Sequence, residues 1–298
     1  MISVKNLHKS YDKVIALKDL SFNVNDGEIF GVIGPDGAGK TTLFRILASL
    51  ILPDGGSAEM NGQDVVTDYK KIRQIIGYMP GKFSLYQDLS VEENLKFFAT
   101  VFNTTIEENY HLVKDIYLQI EPFKTRRAGA LSGGMKQKLA LSCALIHKPE
   151  ILILDEPTTG VDPVSRKEFW DMLGRLKEQG ITILVSTAYM DEASRCDRIA
   201  LMREGEFIAT DTPQGIIDSY AKTLWAVETE NMSASLQDLR KHPQIETCFA
   251  FGDKHHITVK DNLQTGELRK YLTDKNYKNI RISLIEPTVE DCFMALAN

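Results

Sequence analysis

Long apolar runs are missing from this 298-residue chain. Runs such as Ile151 to Leu154 before Asp155 fall far short of the roughly 20 residues that a membrane-crossing helix needs. No signal-peptide pattern is recognisable either, so a soluble protein is expected. Cysteine is scarce. Cys143, Cys196, Cys248 and Cys292 are widely scattered. No pair has metal-ligand or redox-motif spacing, which predicts reduced, partly buried thiols. Two glycosylation patterns, Asn103-Thr104-Thr105 and Asn231-Met232-Ser233, have no secretion signal to go with them and read as accidental. Positive charge is not in excess, because Lys and Arg total 35 against 41 Asp and Glu, a net charge of -6. That gives no support to nucleic-acid binding through bulk charge. The length is enough for about two domains.

What is present alternates strand-like and helix-like segments. ISVKNLHKSY and LKDLSFNVNDG read as strands, and EIFGVIG is a short apolar strand running into glycines. Thr41 to Leu52 reads as a helix with apolar residues at Leu43, Ile46, Leu47 and Leu50, stopped by Pro53 to Gly56. Ser90 to Leu118 is mainly helical, and Ser90 with Glu93 forms a candidate capping box. Met135 to Leu145 and Ser165 to Glu178 read as helices, and ILILDEP, ITILVST and RIALM contain strands. Buried strands alternating with helices predict an α/β fold with a mixed or parallel sheet covered on both faces. This domain is expected over 1–220. From 221 to 298 the rhythm is LWAVETE, SLQDLRKH, ETCFAFG, HHITVKD, GELRKYLTD and NIRISLI. That order suits a small α+β ferredoxin-like unit, with a closing helix over Thr288 to Leu296.

GPDGAGKTT is the strongest signal. Gly34, Pro35, Asp36, Gly37, Ala38, Gly39, Lys40, Thr41 and Thr42 fit a phosphate loop with a strand before it and a helix after it. Glycines let backbone N–H groups turn inward around phosphate oxygens, and the helix N-terminus adds a favourable field. Lys40 can reach the outer phosphates, Thr41 can hold Mg²⁺ through its hydroxyl, and Thr42 can help hold the phosphates. ILILDEP supplies the complement: Asp155 at a strand end can support Mg²⁺ through water, and Glu156 can orient or deprotonate the attacking water. The expected ligands are ATP and Mg²⁺. In LSGGMKQK, Ser132, Gly133 and Gly134 form a second anion-friendly nest at a helix start. A simple helix cap is the alternative there.

That stretch closely resembles the signature motif of ABC transporter ATP-binding subunits. The resemblance spans roughly residues 2 to 220 with the motifs in the family's order. Tyr11 matches the aromatic that stacks on adenine, Leu131 to Gln137 the signature, Ile151 to Glu156 the magnesium strand with its glutamate, and Gly160 to Asp162 the loop that crosses the dimer interface. The resemblance implies a P-loop NTPase core with an inserted helical signature subdomain. It also implies head-to-tail dimerisation with a second nucleotide-binding domain, as homo- or heterodimer. The implied activity is Mg-dependent ATP hydrolysis that powers transport through separate integral-membrane permease subunits. VDPVSRKEFWDML and the tail ending in EPTVEDCFMAL resemble the branch that exports drugs, sodium or polysaccharides. The implied location is the cytoplasmic face of the inner or plasma membrane, peripheral through the permease, and no nucleic-acid partner is implied.

Two positions depart from the family pattern. In GYMPGKFSLY the slot that usually holds glutamine is Gly81, and after the last core strand the slot that usually holds histidine is Ala188. Neither residue offers a polar side chain to magnesium, water or the terminal phosphate. Hydrolysis at a reduced rate is the leading expectation. A catalytically weak or regulatory partner in an asymmetric transporter is the alternative, and a soluble relative acting on ribosomes or DNA repair lacks the tandem domains or long coiled insertions expected of it. His147 is expected to be structural. His255 and His256, adjacent on a strand, point to opposite faces and make a poor metal pair.

Overall fold

The computed structural model describes residues 1–260 and 263–297. The chain divides into two compact units, Met1–Pro213 and a second beginning at Gln214. The first unit opens with strands β1 (Ile2–Tyr11), β2 (Val14–Val24) and β3 (Ile29–Ile33), then helix α1 (Lys40–Leu47). Strands β4 (Gly55–Met60) and β5 (Gln63–Asp64), helix α2 (Tyr69–Ile75) and strand β6 (Ile76–Met79) follow. A helical segment comes next: α3 (Val91–Val101), α4 (Ile106–Tyr117) and α5 (Gly133–Leu145). Strand β7 (Ile151–Asp155), helix α6 (Pro163–Glu178) and strands β8 (Thr182–Thr187), β9 (Arg198–Arg203) and β10 (Glu206–Asp211) complete the unit.

β1, β2, β4 and β5 form an antiparallel sheet in the order β2-β1-β4-β5. The central sheet has the order β10-β9-β3-β8-β7-β6. Its members from β9 to β6 pair in parallel, and β10 joins β9 antiparallel. Every residue of β3, β7 and β8 is buried, as expected of strands covered on both faces. Between the sheets and α1 lies a core built on Phe30, Phe44, Leu7, Leu17, Leu43 and Met60. This is a mixed α/β core with a parallel centre, and it places the β3, β7 and β8 C-termini side by side.

Two helix boundaries differ from the periodicity. α1 ends at Leu47, because Ser49 takes a left-handed backbone (φ 53°) that breaks the helical path. Leu50 therefore does not extend the buried face; it is 51% exposed. The run from Ser90 to Leu118 is two helices. Each begins with a full capping box, Ser90 with Glu93 and Thr105 with Glu108, and the second box sets the break. Fully buried Asn94 fastens the segment leading into α3. It accepts from the Tyr86 amide (3.0 Å) and donates to the carbonyls of Tyr86 (3.0 Å) and Ser90 (2.9 Å). His147 stacks on Phe102 with centroids 3.7 Å apart, and its Nε2 lies 2.9 Å from the Ile76 carbonyl. Burial holds its pKa below the ordinary histidine value.

The second unit begins with α7 (Pro213–Asp218) at its edge, followed by β11 (Leu224–Glu228), α8 (Met232–Arg240), β12 (Ile245–Phe251) and β13 (Lys254–Val259). α9 (Thr265–Asp274), β14 (Arg281–Leu284) and α10 (Val289–Leu296) end it. Its sheet runs β12-β13-β11-β14 with antiparallel neighbours throughout. Val227, Leu239, Ile257, Leu268 and Leu272 form its core. Asp261, the last residue of HHITVKD, lies outside the described residues. The paired histidines do face opposite ways: His255 packs on Ser235 of α8 (3.1 Å), and His256 pairs with Asp291 of α10 (2.7 Å).

Replacing Asn94 with Leu removes the cross-link to the segment before α3 and orphans buried backbone groups. The unfolding free energy is expected to fall by about 1–3 kcal/mol, read by urea denaturation, while nucleotide affinity stays unchanged.

Candidate functional site

The turn between β3 and α1 is built on two glycines, Gly34 and Gly39, that no other residue replaces without displacement. A Cβ on Gly34 would lie 2.2 Å from the Met202 carbonyl oxygen. Gly39, in a left-handed conformation at φ 110°, would bring one to 2.4 Å of the Ala16 carbonyl oxygen. The turn is anchored by Gly34 N–H donating to Thr187 O (3.2 Å), Ala38 N–H to Pro35 O (3.2 Å) and Gly205 N–H to Ala38 O (2.9 Å). Pro35, Asp36 and Gly37 are exposed at its tip.

Lys40, only 3% exposed, reaches back under the turn. Its ammonium donates to Gly34 O (2.7 Å) and Pro35 O (2.9 Å) and pairs with Glu156 Oε1 at 3.0 Å. Beside it, a cavity of about 460 Å³ is lined by Gly37, Gly39, Lys40, Thr41, Thr42 and Glu156, among others. Val14, Ile15 and Ala16 of the β1–β2 hairpin line the same cavity. Tyr11 does not; it is 44% exposed on that hairpin, opposite Val14.

Asp155 closes β7 and is 2% exposed. Its Oδ1 accepts from Thr41 Oγ1 (3.2 Å) and from Ser186 Oγ (2.8 Å). Burial holds the Asp155 carboxyl above its ordinary range; the hydrogen bonds from Ser186 and Thr41 oppose this, the charge of Glu156 adds to it, and Lys40 pulls it down. Glu156 has a left-handed backbone (φ 50°), unusual for a residue with a side chain. Its carboxylate lies between Lys40 and the Thr159 hydroxyl, which donates to Oε2 at 3.3 Å.

Lys40, Thr41, Asp155 and Glu156 thus meet at one end of the central sheet, outside the carboxyl ends of its parallel strands, where such sheets bind ligands. The residues fit a magnesium-bound nucleoside triphosphate. The glycine turn leaves room that side chains would fill, Lys40 offers a cation, and Thr41 with Asp155 offers the hard oxygen ligands that Mg²⁺ takes. When bound there, the ion would supply positive charge that offsets the negative charge of the phosphates.

Ser132, Gly133 and Gly134 are not brought to this cavity. Ser132 caps α5, accepting from Met135 N–H at 3.4 Å. Gly134 abuts Ser165, whose Oγ would lie 2.9 Å from a Cβ there, and Gly133 faces Gly160 O. Gly81 passes beside the site, where a Cβ would lie 3.1 Å from the Asp155 carbonyl oxygen. Ala188 follows β8, and the next residue, Tyr189, lies under the Arg166 guanidinium (4.5 Å to the ring centre). Sequence reasoning missed Ser186. Its only signal is a small hydroxyl residue directly after the apolar stretch Ile183 to Val185.

A family model described as ABC transporter matches residues 17–159. The chain is 37% identical over 303 residues to the probable multidrug ABC transporter ATP-binding protein YbhF of Escherichia coli (strain K12). That match takes in 99% of this chain but 52% of YbhF, so the chain spans about half the length of that relative. It is 34% identical over 300 residues to Nod factor export ATP-binding protein I of Burkholderia lata, covering 97% of this chain and 98% of that one. Among solved structures it resembles cbiO1 from Clostridium perfringens, part of the ABC transporter complex cbiONQ. The TM-score is 0.66 at 28% identity, over 73% of this chain and 90% of that one. It also resembles the dimeric post-hydrolysis state of the ATP-binding cassette MJ0796 bound to ADP and Pi. That TM-score is 0.65 at 26% identity, over 71% of this chain and 98% of that one.

Because the Asp155 carboxyl is held above its ordinary range, protons compete there with a cation. Magnesium-dependent nucleotide binding is expected to need more Mg²⁺ as pH falls, beginning at a higher pH than an ordinary aspartate would impose. Asp155→Asn should bind Mg²⁺ weakly and flatten that pH dependence, read by magnesium titration of nucleotide binding.

Proposed function

The chain belongs to the ABC transporter family of ATP-binding subunits, and from that premise we propose that it hydrolyses Mg-ATP to power an export complex through nucleotide-driven closure of a dimer. The observation that carries this reading is the convergence of Lys40, Thr41 and Glu156 on one cavity, with Asp155 hydrogen-bonded to Thr41 behind it. Lys40 holds the outer phosphates, Thr41 and Asp155 serve the metal, and Glu156 orients or deprotonates the attacking water. Dimerisation is supported by the signature nest. Ser132 and Gly133 are exposed at the N-terminus of a 13-residue helix, outside the chain's own nucleotide cavity. In a head-to-tail pair that N-terminus meets the partner's phosphates. MJ0796, the structural relative bound to ADP and Pi, is dimeric.

Attachment to an integral-membrane permease is supported by an apolar groove of about 540 Å³ beside the segment that carries Gly81. Met79, Phe83, Leu85, Phe98, Val101 and Phe102 are among its lining residues. A helix of a membrane subunit fits such a groove. No helix among the described residues is long and apolar enough to cross a membrane. With the groove as the permease contact, the proposed reading puts the chain at the cytoplasmic face, held there by its permease. The names of its relatives, a multidrug transporter protein and a Nod factor export protein, favour export. The strand order and βαββαβ succession of the second unit support a ferredoxin-like accessory domain.

A second reading, a weak or regulatory partner in an asymmetric transporter, rests on Gly81 and Ala188. Loss of one preorganised polar contact costs about 3 kcal/mol, or roughly a hundredfold in rate. Glu156 favours the hydrolytic reading, because nucleotide binding alone does not call for a water-activating carboxylate beside the phosphates.

Steady-state Mg-ATP hydrolysis by the purified chain is expected to rise faster than linearly with protein concentration. Glu156→Gln should lower it by about 100-fold or more. Binding without turnover above that variant would reject autonomous hydrolysis and favour the second reading. Ala188→His is expected to raise kcat by about tenfold with KM for ATP little changed, which steady-state kinetics checks.

A further inference from the structure

Ser186 is fully buried and lies opposite Asp155 in the parallel pairing of β7 and β8. Its hydroxyl makes two bonds at once. It donates to Asp155 Oδ1 at 2.8 Å and accepts from the Glu156 backbone N–H at 2.9 Å. One oxygen therefore binds the side chain of the first acidic residue and the main chain of the second. The second bond falls where the backbone turns left-handed, at Glu156 (φ 50°). A residue other than glycine holds that conformation only where its surroundings over-determine it. The neighbouring Thr187 carbonyl accepts from Gly34 N–H of the phosphate turn. The end of β8 thus ties together the two loops that make up the site.

We propose that Ser186 is a positioning residue for ATP hydrolysis, fixing the Asp155 carboxylate for magnesium and the backbone angle from which the Glu156 side chain reaches the attacking water. This rests on the proposed roles of Asp155 and Glu156. It makes β8 a contributor of polar chemistry through residue 186, although position 188 offers none. Ser186 acts through its two neighbours and touches no substrate. Its removal disturbs geometry more than folding, because the Glu156 N–H keeps a second acceptor, the Ser186 carbonyl oxygen, at 3.2 Å.

The test compares wild type, Ser186→Ala and Ser186→Thr, with Glu156→Gln as the zero of turnover. Ser186→Ala is expected to lower kcat about tenfold, with KM for ATP within about twofold. It is also expected to raise the Mg²⁺ concentration for half-maximal activity several-fold and to leave the thermal midpoint near that of wild type. Ser186→Thr, which keeps the hydroxyl, is expected to recover most of kcat and the Mg²⁺ requirement. Unchanged kcat and Mg²⁺ requirement in Ser186→Ala would overturn the proposal. So would a loss that Ser186→Thr fails to rescue while melting as wild type does. If wild type turns over no faster than Glu156→Gln, it is the hydrolytic reading that fails. Mg²⁺-dependent binding of trinitrophenyl-ATP then decides the role of Ser186: a raised Mg²⁺ requirement in Ser186→Ala upholds it, and an unchanged one overturns it.

Discussion

The site depends on the register of three parallel strands. β8 lies between β3 and β7, with Ile33 opposite Thr187 and Asp155 opposite Ser186. The phosphate turn and the acidic pair therefore leave the sheet at the same height, though more than a hundred residues separate them in sequence. A slip of one residue would turn every side chain of β8 to the other face. Complete burial of the three strands, with Phe30, Ile153 and Leu184 in a shared core, makes such a slip prohibitive. Packing of apolar residues that touch no ligand thus sets the distance between Lys40 and Glu156.

The same packing explains the ion pair at the centre of the site. An ammonium as buried as that of Lys40 cannot be left without compensating oxygens. Two backbone carbonyls and the Glu156 carboxylate supply them here. Phosphate oxygens brought to Lys40 compete with Glu156 for the same cation. Whatever binds in the turn therefore changes the electrostatic partner of the carboxylate read as activating water. If Glu156 activates water as proposed, binding and readiness for chemistry are linked through one charge, with no need for a longer pathway.

Local chemistry was legible in the sequence and long-range chemistry was not. GPDGAGKTT declares its glycine turn because each residue answers to a neighbour a few positions away. The same holds for the capping box at Ser90. Periodicity identified Leu50 as apolar but could not say that Ser49 would turn the chain and leave it half exposed. The break at Thr105 carries its own box, Thr-x-x-Glu, inside a run whose pattern reads as mainly helical. Ser186 has no local signature at all. Its meaning comes from Asp155, thirty-one residues away, through a parallel pairing that no short window of sequence encodes. The resemblance to a family named the slots at Gly81 and Ala188, and only the coordinates put the first of them against the Asp155 carbonyl.

On the proposed hydrolytic reading, the two departures bear on rate more than on binding. Glycine turn, buried ammonium, threonine hydroxyl and aspartate make up the cradle, and none of them needs a side chain at 81 or 188. Groups that act on charge developing in the transition state contribute to turnover and little to ground-state affinity. A site that keeps the first set and lacks part of the second binds nucleotide at ordinary strength and completes the reaction slowly. In a dimer that closes on binding and reopens after hydrolysis, such a site lengthens the closed interval. The tempo of the cycle then depends on what else the site can hold in place, and under the proposed roles that falls to Glu156, its left-handed backbone and the strand end beside it.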